Sequence, residues 1–475
     1  MAIYLRVEVV RRELGGRLLL GLALAEQGHE VVVGRIPYSA LLAGELNGWV
    51  MPPGVIHLKS LNVTPRLHEW LKTLRSRGFS VTAQDEEHGL AGPDDYRAFA
   101  ESRLSEAQMS EAQRYFAWGR HDGGWLSNAY PDLASRISVT GSPRMDLFRP
   151  ELLAASPQVV PALTKPYVLI VSSAASPFKV NPLWLSLGLE RETHGELDEQ
   201  RELDQFRSHA EATLITGQLL AAARRLSRRV PGTPVVIRPH HKEAPDAWAS
   251  VVGSNSGITV ARGGPSVSWI AGAAVVVHSG STVALESTIA GKPVVSFTPE
   301  ISRVGRRADS FGMQTKDVDG LVAAVERAVV APEAWAGTLA RDRERMGSVL
   351  DAVEGDFAAD RIAEAMGALD PGKGGDGIRL TRSAASRQRF RRSLGPALPM
   401  ARAVRGMVGR HQGRKVRGQP SEVSLLSRMD FAHKFPSLDF DTVTMSVERI
   451  SRELGRFSGI RVTRIGEKEV LLRRG

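Results

Sequence analysis

Short runs of apolar and β-branched residues alternate with helical patterns through the first 155 residues. The runs predict strands over 3–10, 30–34, 54–58, 79–84, 115–119 and 137–140. Apolar spacing of three and four residues predicts helices over 13–27 and 67–77. Strands that alternate with helices indicate a parallel sheet covered on both faces.

The same alternation resumes after a proline-containing stretch over 150–166, which we interpret as a linker between domains. Strands are predicted over 167–172, 234–238, 257–261, 273–278 and 293–297, and helices over 202–228, 282–290, 318–330 and 334–369. The pattern therefore predicts an α/β protein with two doubly wound, Rossmann-like parallel-sheet domains facing a cleft. Because ligands of such sheets lie beyond the carboxyl ends of the strands, the residues that follow each strand are the candidates for chemistry.

The length of 475 residues is also more than one hydrophobic core usually serves. We predict a first Rossmann-like domain over 1–155, a second over 156–370, a basic flexible segment over 371–420 and a small appendix over 421–475. The chain has no cysteine, which excludes disulfides and cysteine nucleophiles and fits a reducing compartment. No apolar run approaches the ~20 residues that span a bilayer, so we expect a soluble, cytoplasmic protein.

The formal net charge of +10 is concentrated in one segment. Residues 379–417 carry many Lys and Arg residues and no Asp or Glu, so the rest of the chain is close to neutral. This segment predicts either an amphipathic helix in peripheral contact with an anionic membrane, at the inner face of the plasma membrane, or a solvated linker broken by Pro396 and Pro399. Its one aromatic residue, Phe390, and the neutral remainder argue against nucleic-acid binding.

The strand predicted to end at His278 runs into a turn of small, hydroxyl-bearing residues that opens a helix. The turn is Ser279-Gly280-Ser281-Thr282. Backbone N–H groups at a helix start, with hydroxyls beside them, suit a phosphate. Glu286 shares a helical face with Thr282 and can accept hydrogen bonds from both hydroxyls of a ribose. The alternative is that Ser281 or Thr282 only caps the helix and that Glu286 is a solvated surface residue.

Positively chargeable side chains crowd the end of the strand predicted over 234–238. They are Arg238, His240, His241 and Lys242. Arginine offers a rigid fork for oxyanions, and histidine adds a tunable donor. The cluster predicts a phosphate site; the alternative is a solvated loop with a histidine bonded to backbone.

Two groups in the first half of the chain carry acids after strands. Asp85-Glu86-Glu87 precedes His88, and repulsion within such a group can hold one proton for general acid or base work; an acidic, solvent-facing turn is the alternative. Glu8, Arg12 and Glu13 lie at the first strand-to-helix turn, where they line a cleft or form an ordinary capping network. No Gly-x-Gly-x-x-Gly follows the first strand, and no Gly-Lys-Ser/Thr or Gly-x-Ser-x-Gly occurs. Asp439-Phe440-Asp441 has an Asp-x-Asp form that we interpret as incidental.

Taken together, these residues resemble the bacterial surface carbohydrate (surface polysaccharide) biosynthesis protein family, which is related in fold to GT-B transferases such as the Kdo and sialic acid transferases. The matching pieces run in order through nearly the whole chain: Glu8 with 12–14, 28–31 with Gly34, 85–87, 116–119, 140–146, 237–240, Trp269, 278–286, 291–293 and 433–436. The resemblance implies a GT-B-like fold, with activated-sugar binding by the second domain and acceptor binding by the first.

The resemblance also implies roles for single residues. In the Kdo and sialic acid transferases an acidic motif supplies the catalytic carboxylate, and a His-Pro motif and a Ser/Thr-rich turn hold CMP. These roles fall on Asp85, Glu86 or Glu87, on Arg238 with His240, and on Ser281, Thr282 and Glu286. We also predict that His278 and Ser279 bind the nucleotide or its phosphate. The chain departs from the pattern because His241 stands where a proline is expected, and Ser279-Gly280-Ser281 replaces an Asn/Cys/Thr-like turn.

The function expected from the sequence is a metal-independent glycosyltransferase without a cofactor. It would move a sugar from a nucleotide donor, CMP-linked if the resemblance extends that far, to a surface polysaccharide or lipid-linked glycan. Three other functions remain open: a sugar-nucleotide epimerase, a polyol-phosphate transferase of the CDP-glycerol type, and a non-catalytic scaffold for glycan assembly.

Overall fold

A computed structural model describes residues 1–62, 64–87, 96–156, 163, 166–172, 177–180, 182–194, 198–240, 242–300, 307–370, 377–381, 435 and 437–475. The strands are β1 (Ala2–Arg6), β2 (Glu30–Gly34), β3 (Glu45–Leu46), β4 (Trp49–Val50), β5 (Val55–Leu58), β6 (Ser80–Ala83), β7 (Arg114–Ala117), β8 (Ile137–Val139), β9 (Tyr167–Val171), β10 (Val235–Arg238), β11 (Ile258–Val260), β12 (Ala273–His278), β13 (Val294–Phe297), β14 (Met313–Thr315), β15 (Arg379–Leu380), β16 (Ile460–Arg464) and β17 (Glu469–Arg474).

Helices connect most of these strands and cover both faces of the sheets. They are α1 (Val10–Glu26), α2 (Tyr38–Ala43), α3 (Pro65–Ser76), α4 (Tyr96–Arg103), α5 (Glu106–Glu111), α6 (Arg120–Ala129), α7 (Pro143–Asp146), α8 (Pro150–Leu153), α9 (Leu183–His194), α10 (Glu199–Arg229), α11 (Pro245–Val252), α12 (Ser266–Ala271), α13 (Val283–Ile289), α14 (Val318–Val330), α15 (Ala336–Val349), α16 (Ala358–Gly367) and α17 (Phe440–Leu454).

Two sheets organise the molecule. The first has the order β16-β17-β2-β1-β5-β6-β7-β8, and it is parallel from β2 to β8. The second has the order β11-β10-β9-β12-β13-β14 and is parallel throughout. All five residues of β9 are buried, as expected for a strand covered on both faces. The predicted fold class, two doubly wound α/β domains of the GT-B type, is therefore confirmed.

The direction of winding reverses inside each sheet. In the first sheet β1 lies between β2 and β5, and in the second β9 lies between β10 and β12. In open α/β sheets the crevice at such a reversal, beyond the carboxyl ends of the strands, is where ligands bind. The topology thus directs attention to the residues that follow β1, β9, β10 and β12.

The last part of the chain belongs to the first sheet. Strand β17 pairs antiparallel with β2, and Leu471 and Leu472 are fully buried. Helix α17 contributes Val443, Val447 and Ile450 to the same hydrophobic core as α1. The described residues 437–475 of the predicted appendix over 421–475 therefore pack onto the first domain. Their buried apolar side chains belong to the hydrophobic core of the first domain.

The helix predicted over 334–369 is two helices, α15 and α16. The chain turns between them at Ala352, which has a φ of 60°, and α16 then packs on α1 of the first domain through Ile362, Ala363 and Met366. The chain thus returns to the first domain before the predicted boundary at residue 370. The other boundaries remain predictions.

The basic segment is described only at its beginning. Residues 379 and 380 form β15, which pairs with β4 in a three-stranded sheet with β3. Residues 382–434, which include the remainder of the proposed membrane-contact stretch, lie outside the described residues. Among the residues the structure describes, no helix is long and apolar enough to cross a membrane.

Candidate nucleotide-binding cleft

A cleft lies between the two sheets and receives residues from the carboxyl ends of both. It encloses about 1250 Å³ of space, open solvent at its mouth included. The first domain contributes Val9, Arg11, Arg12, Glu87 and Arg144, and the second contributes, among others, Ser172, Arg238, His240, Lys242, Ser279, Ser281, Thr282 and Glu286. The structure therefore brings together the residues that were predicted separately from two halves of the chain.

The charged side chains that line the cleft are mostly cationic. Arginine or lysine stands at positions 11, 12, 144, 238 and 242, against carboxylates at 87 and 286. In a recess between low-dielectric walls, such an excess of positive charge attracts anions. The ligand that fits this electrostatic environment is negatively charged.

Arg238 ends β10 and points its guanidinium at the cleft. Its Nη2 donates to the carbonyl of Gly264 at 3.2 Å, and its Nε has no hydrogen-bond partner among the described residues. Burial lowers the pKa of Arg238 to about 10, helped by Arg11 and opposed by Glu286. The side chain thus remains protonated at neutral pH and keeps a donor for an oxyanion.

His240 is held by its backbone and is neutral. Its N–H donates to Ser172 Oγ and Glu243 Oε2, both at 2.8 Å, and its ring Nδ1 accepts from the Lys242 N–H at 3.2 Å. Burial, reinforced by Lys242, lowers the pKa of His240 to about 3. With Nδ1 accepting, the hydrogen-bond network assigns the remaining proton to Nε2.

Glu243, which sequence reasoning did not single out, organises this loop from below. It is 1% exposed, and its Oε2 also accepts from Trp248 Nε1 at 3.1 Å and from the Ser172 hydroxyl. A buried carboxylate with several donors fixes the path of the chain. His241, the other histidine of the predicted cluster, lies outside the described residues.

Backbone N–H groups of the turn after β12 already donate hydrogen bonds to other residues of the protein. Gly280 N–H donates to Asp309 Oδ1 at 2.8 Å, Ser281 N–H to His278 Nδ1 at 3.4 Å, and Val283 N–H to Ser281 Oγ at 3.3 Å. The expectation of free N–H groups at this helix start is therefore wrong for these three residues, and Ser281 has a capping role. Helix α13 is only seven residues long.

His278 itself is fully buried at the end of β12. Burial lowers its pKa to about 4, so the ring is neutral at physiological pH. Its Nδ1 supports the turn described above, and its Nε2 has no hydrogen-bond partner in the described part of the chain. The residue shapes the turn that carries Ser279 and Ser281 to the cleft, where both residues are among its lining.

Glu286 is a buried carboxylate and not a solvated surface residue. It is 3% exposed, and its Oε1 lies 3.8 Å from Arg144 Nη2. Its Oε2 has no hydrogen-bond partner among the residues described. A buried, unsatisfied acceptor is costly unless a ligand or water supplies a donor. The solvated alternative raised from the sequence is thus wrong, and an acceptor faces the cleft.

The three consecutive acids separate into different environments. Asp85 is fully buried and paired with Arg103 Nε at 2.7 Å, and its Oδ1 accepts from the Glu87 N–H at 2.8 Å. Glu86 is also buried and lies 3.2 Å from Arg17 Nη2. Glu87 lines the cleft. Of the three acids, Glu87 is therefore the one placed to contact a substrate there.

Glu87 is ionised at neutral pH and therefore does not hold a proton for general acid catalysis. Burial alone would raise its pKa, but Arg12 at 2.9 Å and Arg103 at 3.4 Å, with Lys59 further off, lower it to about 2. The hypothesis that repulsion within the group keeps a proton on an acid is wrong for Glu87, because arginines surround it. His88 lies outside the described residues.

The turn after β1 combines capping with a contribution to the cleft. Glu13 is 1% exposed, and its Oε2 accepts from the Glu8 N–H at 2.7 Å. Glu8 pairs with Lys59 at 2.9 Å; burial opposes ionisation, yet Lys59 and Arg6 lower its pKa. These two acids hold the turn in shape, and Arg12 reaches the cleft from it.

Two further arginines line the cleft but were not among the predicted site residues. Arg11 lies in α1 after the first strand, and Arg144 belongs to the 140–146 segment, which the family resemblance includes without giving it a role. The available signal for Arg144 was its place near the start of α7, shortly after strand β8 of the first sheet. For Arg11 the sequence offered only its position beside Arg12.

No protein-family model matches the sequence, and no curated protein matches it significantly. Similar solved structures include a Listeria monocytogenes protein assigned as a UDP-N-acetylglucosamine 2-epimerase, with 14% identity, a TM-score of 0.49 and coverage of 77% of this chain and 95% of the other. The Neisseria meningitidis UDP-GlcNAc 2-epimerase bound to UDP-GlcNAc has 13% identity, a TM-score of 0.45 and coverage of 77% and 99%. Anabaena HepE in complex with UDP and glucose has 12% identity, a TM-score of 0.39 and coverage of 78% and 100%. These likenesses are distant, and the fold class rests on this chain's own sheets.

Proposed function

We propose that the protein is a glycosyltransferase that binds a nucleotide sugar in the cleft and transfers the sugar to a glycan or lipid-linked acceptor. The observation that carries this proposal is the position of Arg238 and Glu286 in one cleft, after the two strands that flank β9. A cation with an unused donor and a carboxylate with an unused acceptor suit the phosphate and the ribose of one nucleotide.

The donor's phosphate lies at the end of β10 in this account. Arg238 supplies charge and an Nε–H that has no hydrogen-bond partner among the described residues, and the neutral ring of His240 lines the same cleft. As the bond to the sugar breaks, negative charge grows on the leaving phosphate, and preorganised donors in the cleft stabilise that charge. Hydroxyls of Ser279, Ser281 and Thr282 add polar contacts. We expect no metal or cofactor to be required.

The acceptor approaches from the first domain, where Glu87 faces the same cleft. With a pKa of about 2, Glu87 is a weak base at neutral pH. Its negative charge suits two other tasks: accepting a hydrogen bond from the acceptor hydroxyl, and stabilising positive charge at the anomeric carbon in an oxocarbenium-like transition state. Asp85 and Glu86 support this arrangement by holding Arg103 and Arg17.

The acceptor class comes from the sequence resemblance to surface carbohydrate biosynthesis proteins. A growing surface polysaccharide or a lipid-linked glycan is the acceptor that this resemblance implies. A basic segment between the cleft-forming part and the C-terminal strands is consistent with an acceptor held at an anionic surface.

The test is to incubate the protein with UDP-, GDP-, CDP- and CMP-linked sugars and with CDP-glycerol, with and without lipid-linked glycan extract, and to follow nucleotide release and the transferred group by NMR. The proposal predicts nucleotide release that depends on the acceptor. It also predicts that Glu87→Gln slows transfer more than it weakens donor binding. A changed free nucleotide sugar without acceptor would identify an epimerase instead. Transfer of the phosphate with the polyol would identify a phosphotransferase. The absence of any turnover would favour a non-catalytic scaffold for glycan assembly.

A further inference from the structure

Arg144 is a buried cation at the border of the two domains. It follows β8 at the start of α7, is 4% exposed, and lies with its guanidinium 5.2 Å from the ring centre of Trp118. Its Nε and Nη2 have no hydrogen-bond partner among the described residues, although the side chain lines the cleft. A buried guanidinium with unused donors calls for a partner of opposite charge.

Two carboxylates, one from each domain, provide that charge. Arg144 Nη2 lies 3.8 Å from Glu286 Oε1, and Arg144 Nε lies 3.9 Å from Glu86 Oε2. Both distances are ion-pair distances and exceed those of hydrogen bonds. Glu286 Oε2 and Glu86 Oε2 are themselves without hydrogen-bond partners in the described residues. The charge of Arg144 therefore links the first domain to the second. The Oε2 atoms of Glu86 and Glu286 remain available to accept hydrogen bonds.

Glu286 has two candidate cationic partners, Arg144 and Arg238. Arg238 is also close enough to feel the Glu286 charge, which raises the pKa of that arginine against burial. If Arg238 were the partner of Glu286, the donor phosphate would have to compete for it. Arg144, with its Nη2 3.8 Å from Glu286 Oε1, provides Glu286 with a second nearby cation.

We propose that Arg144 is a positioning residue for the donor: it holds the Glu286 carboxylate in the orientation that receives the 2′- and 3′-hydroxyls of the ribose, and thereby leaves Arg238 to the phosphate. The inference rests on the proposed function, because it requires a nucleotide in the cleft. It assigns to Arg144 the selection of ribonucleotides over nucleotides that lack these hydroxyls.

The experiment compares two affinities by calorimetry. Each variant is titrated with the nucleotide among UDP, GDP, CDP and CMP that binds the wild-type protein, and with the 2′,3′-dideoxy form of the same nucleotide. The wild-type protein should prefer the ribose form by about tenfold or more, as expected for hydrogen bonds to a charged carboxylate. Arg144→Met and Glu286→Gln should both bring this ratio close to one.

The matched control is Arg149→Met. Arg149 is also buried and lies on the same segment, but it bonds the carbonyls of Ala352 and Gly355 and the carboxylate of Glu151. Its loss should reduce stability and leave the ribose preference at the wild-type value. If Arg144→Met does not fold, Arg144→Lys decides, because it keeps the charge but not the reach to both carboxylates, and its ratio should fall several-fold.

The outcomes separate the two proposals. A wild-type ribose preference that persists in the Arg144 variants overturns the positioning role and leaves nucleotide binding intact. Wild-type binding without any ribose preference also overturns it, because Glu286 then does not hold the ribose. Folded wild-type protein that binds none of the nucleotides overturns the proposed function, and the role of Arg144 falls with it.

Discussion

Gly16 lies directly against the backbone of Arg144. A β-carbon on Gly16 would be 2.8 Å from the Arg144 nitrogen and 2.9 Å from its α-carbon. Helix α7 can approach α1 this closely only because position 16 has no side chain. The contact fixes the position of the Arg144 backbone, and this position determines which carboxylates the guanidinium can reach.

Replacing Gly16 with alanine should therefore destabilise the protein. Alanine is worth about 1 kcal/mol more than glycine inside a helix, but a β-carbon against backbone atoms forces a shift that costs about 1–3 kcal/mol or more. We expect a lower free energy of unfolding and weaker nucleotide binding, measured by denaturation and calorimetry. Gly124→Ala in α6 is the control, because its β-carbon would meet no atom within 4 Å. Equal stability of the two variants would contradict the packing argument.

Trp248 provides a second prediction, about the loop that carries His240. Its Nε1 donates to Glu243 Oε2, which also accepts from the His240 N–H. Trp248→Phe removes that donor and should cost about 1–2 kcal/mol beyond the loss of ring area, with weaker nucleotide binding. Trp335→Phe is the matched control, because the equally buried Trp335 has an Nε1 without a hydrogen-bond partner among the described residues. If both variants behave alike, Glu243 does not organise this loop through Trp248.

His278 predicts a dependence of stability on pH. Its pKa is lowered by burial from 6.5 to about 4, so between these values the unfolded chain binds a proton that the folded protein does not. The stability contributed above pH 6.5 is then lost as the pH falls through this window, on the order of 3 kcal/mol in total. Urea denaturation of His278→Gln between pH 7 and pH 4 should show a smaller loss than the wild-type protein. His209→Gln on α10 is the control and should follow the wild-type curve.

Leu472 tests the place of the C-terminal strands. It is fully buried and lies against Gly21 of α1, where a β-carbon would meet its Cδ1 at 2.8 Å. Leu472→Ala should lower stability by about 2–5 kcal/mol and increase hydrogen exchange in β2. Leu214→Ala, at a position 52% exposed, should change stability by less than about 0.5 kcal/mol. Unchanged hydrogen exchange in β2 after Leu472→Ala would show that the C-terminal strands do not stabilise the first sheet.

The elements with strong periodicity could be predicted from the sequence alone. Strands β2 and β12 and helix α14 have the predicted bounds, because continuous β-branched runs or a clear helical repeat specify them. Strand β14 and helices α11 and α12 were not predicted, because runs this short resemble loops. The pairing of β17 with β2 was not predictable, since contacts between distant segments leave no local pattern.

The candidate site was predictable as a set of strand ends but not as a set of interactions. The sequence led to Arg238 and Glu286 because both follow apolar strands. It could not show that Asp85 is turned to Arg103 while Glu87 faces the cleft, since adjacent acids carry the same chemistry in a sequence. Arg144 was missed as a site residue for a related reason: its partners, Glu86 and Glu286, lie on other elements.

The central claim is that the cleft binds a nucleotide through Arg238 and His240 and the residues around them. Its most direct test is calorimetric titration of the wild-type protein and of the Arg238→Ala/His240→Ala double variant with UDP, GDP, CDP and CMP. We predict saturable binding of at least one nucleotide to the wild-type protein, and its loss in a double variant that remains folded. Unchanged affinity in the double variant, or no binding by folded wild-type protein, would contradict the claim.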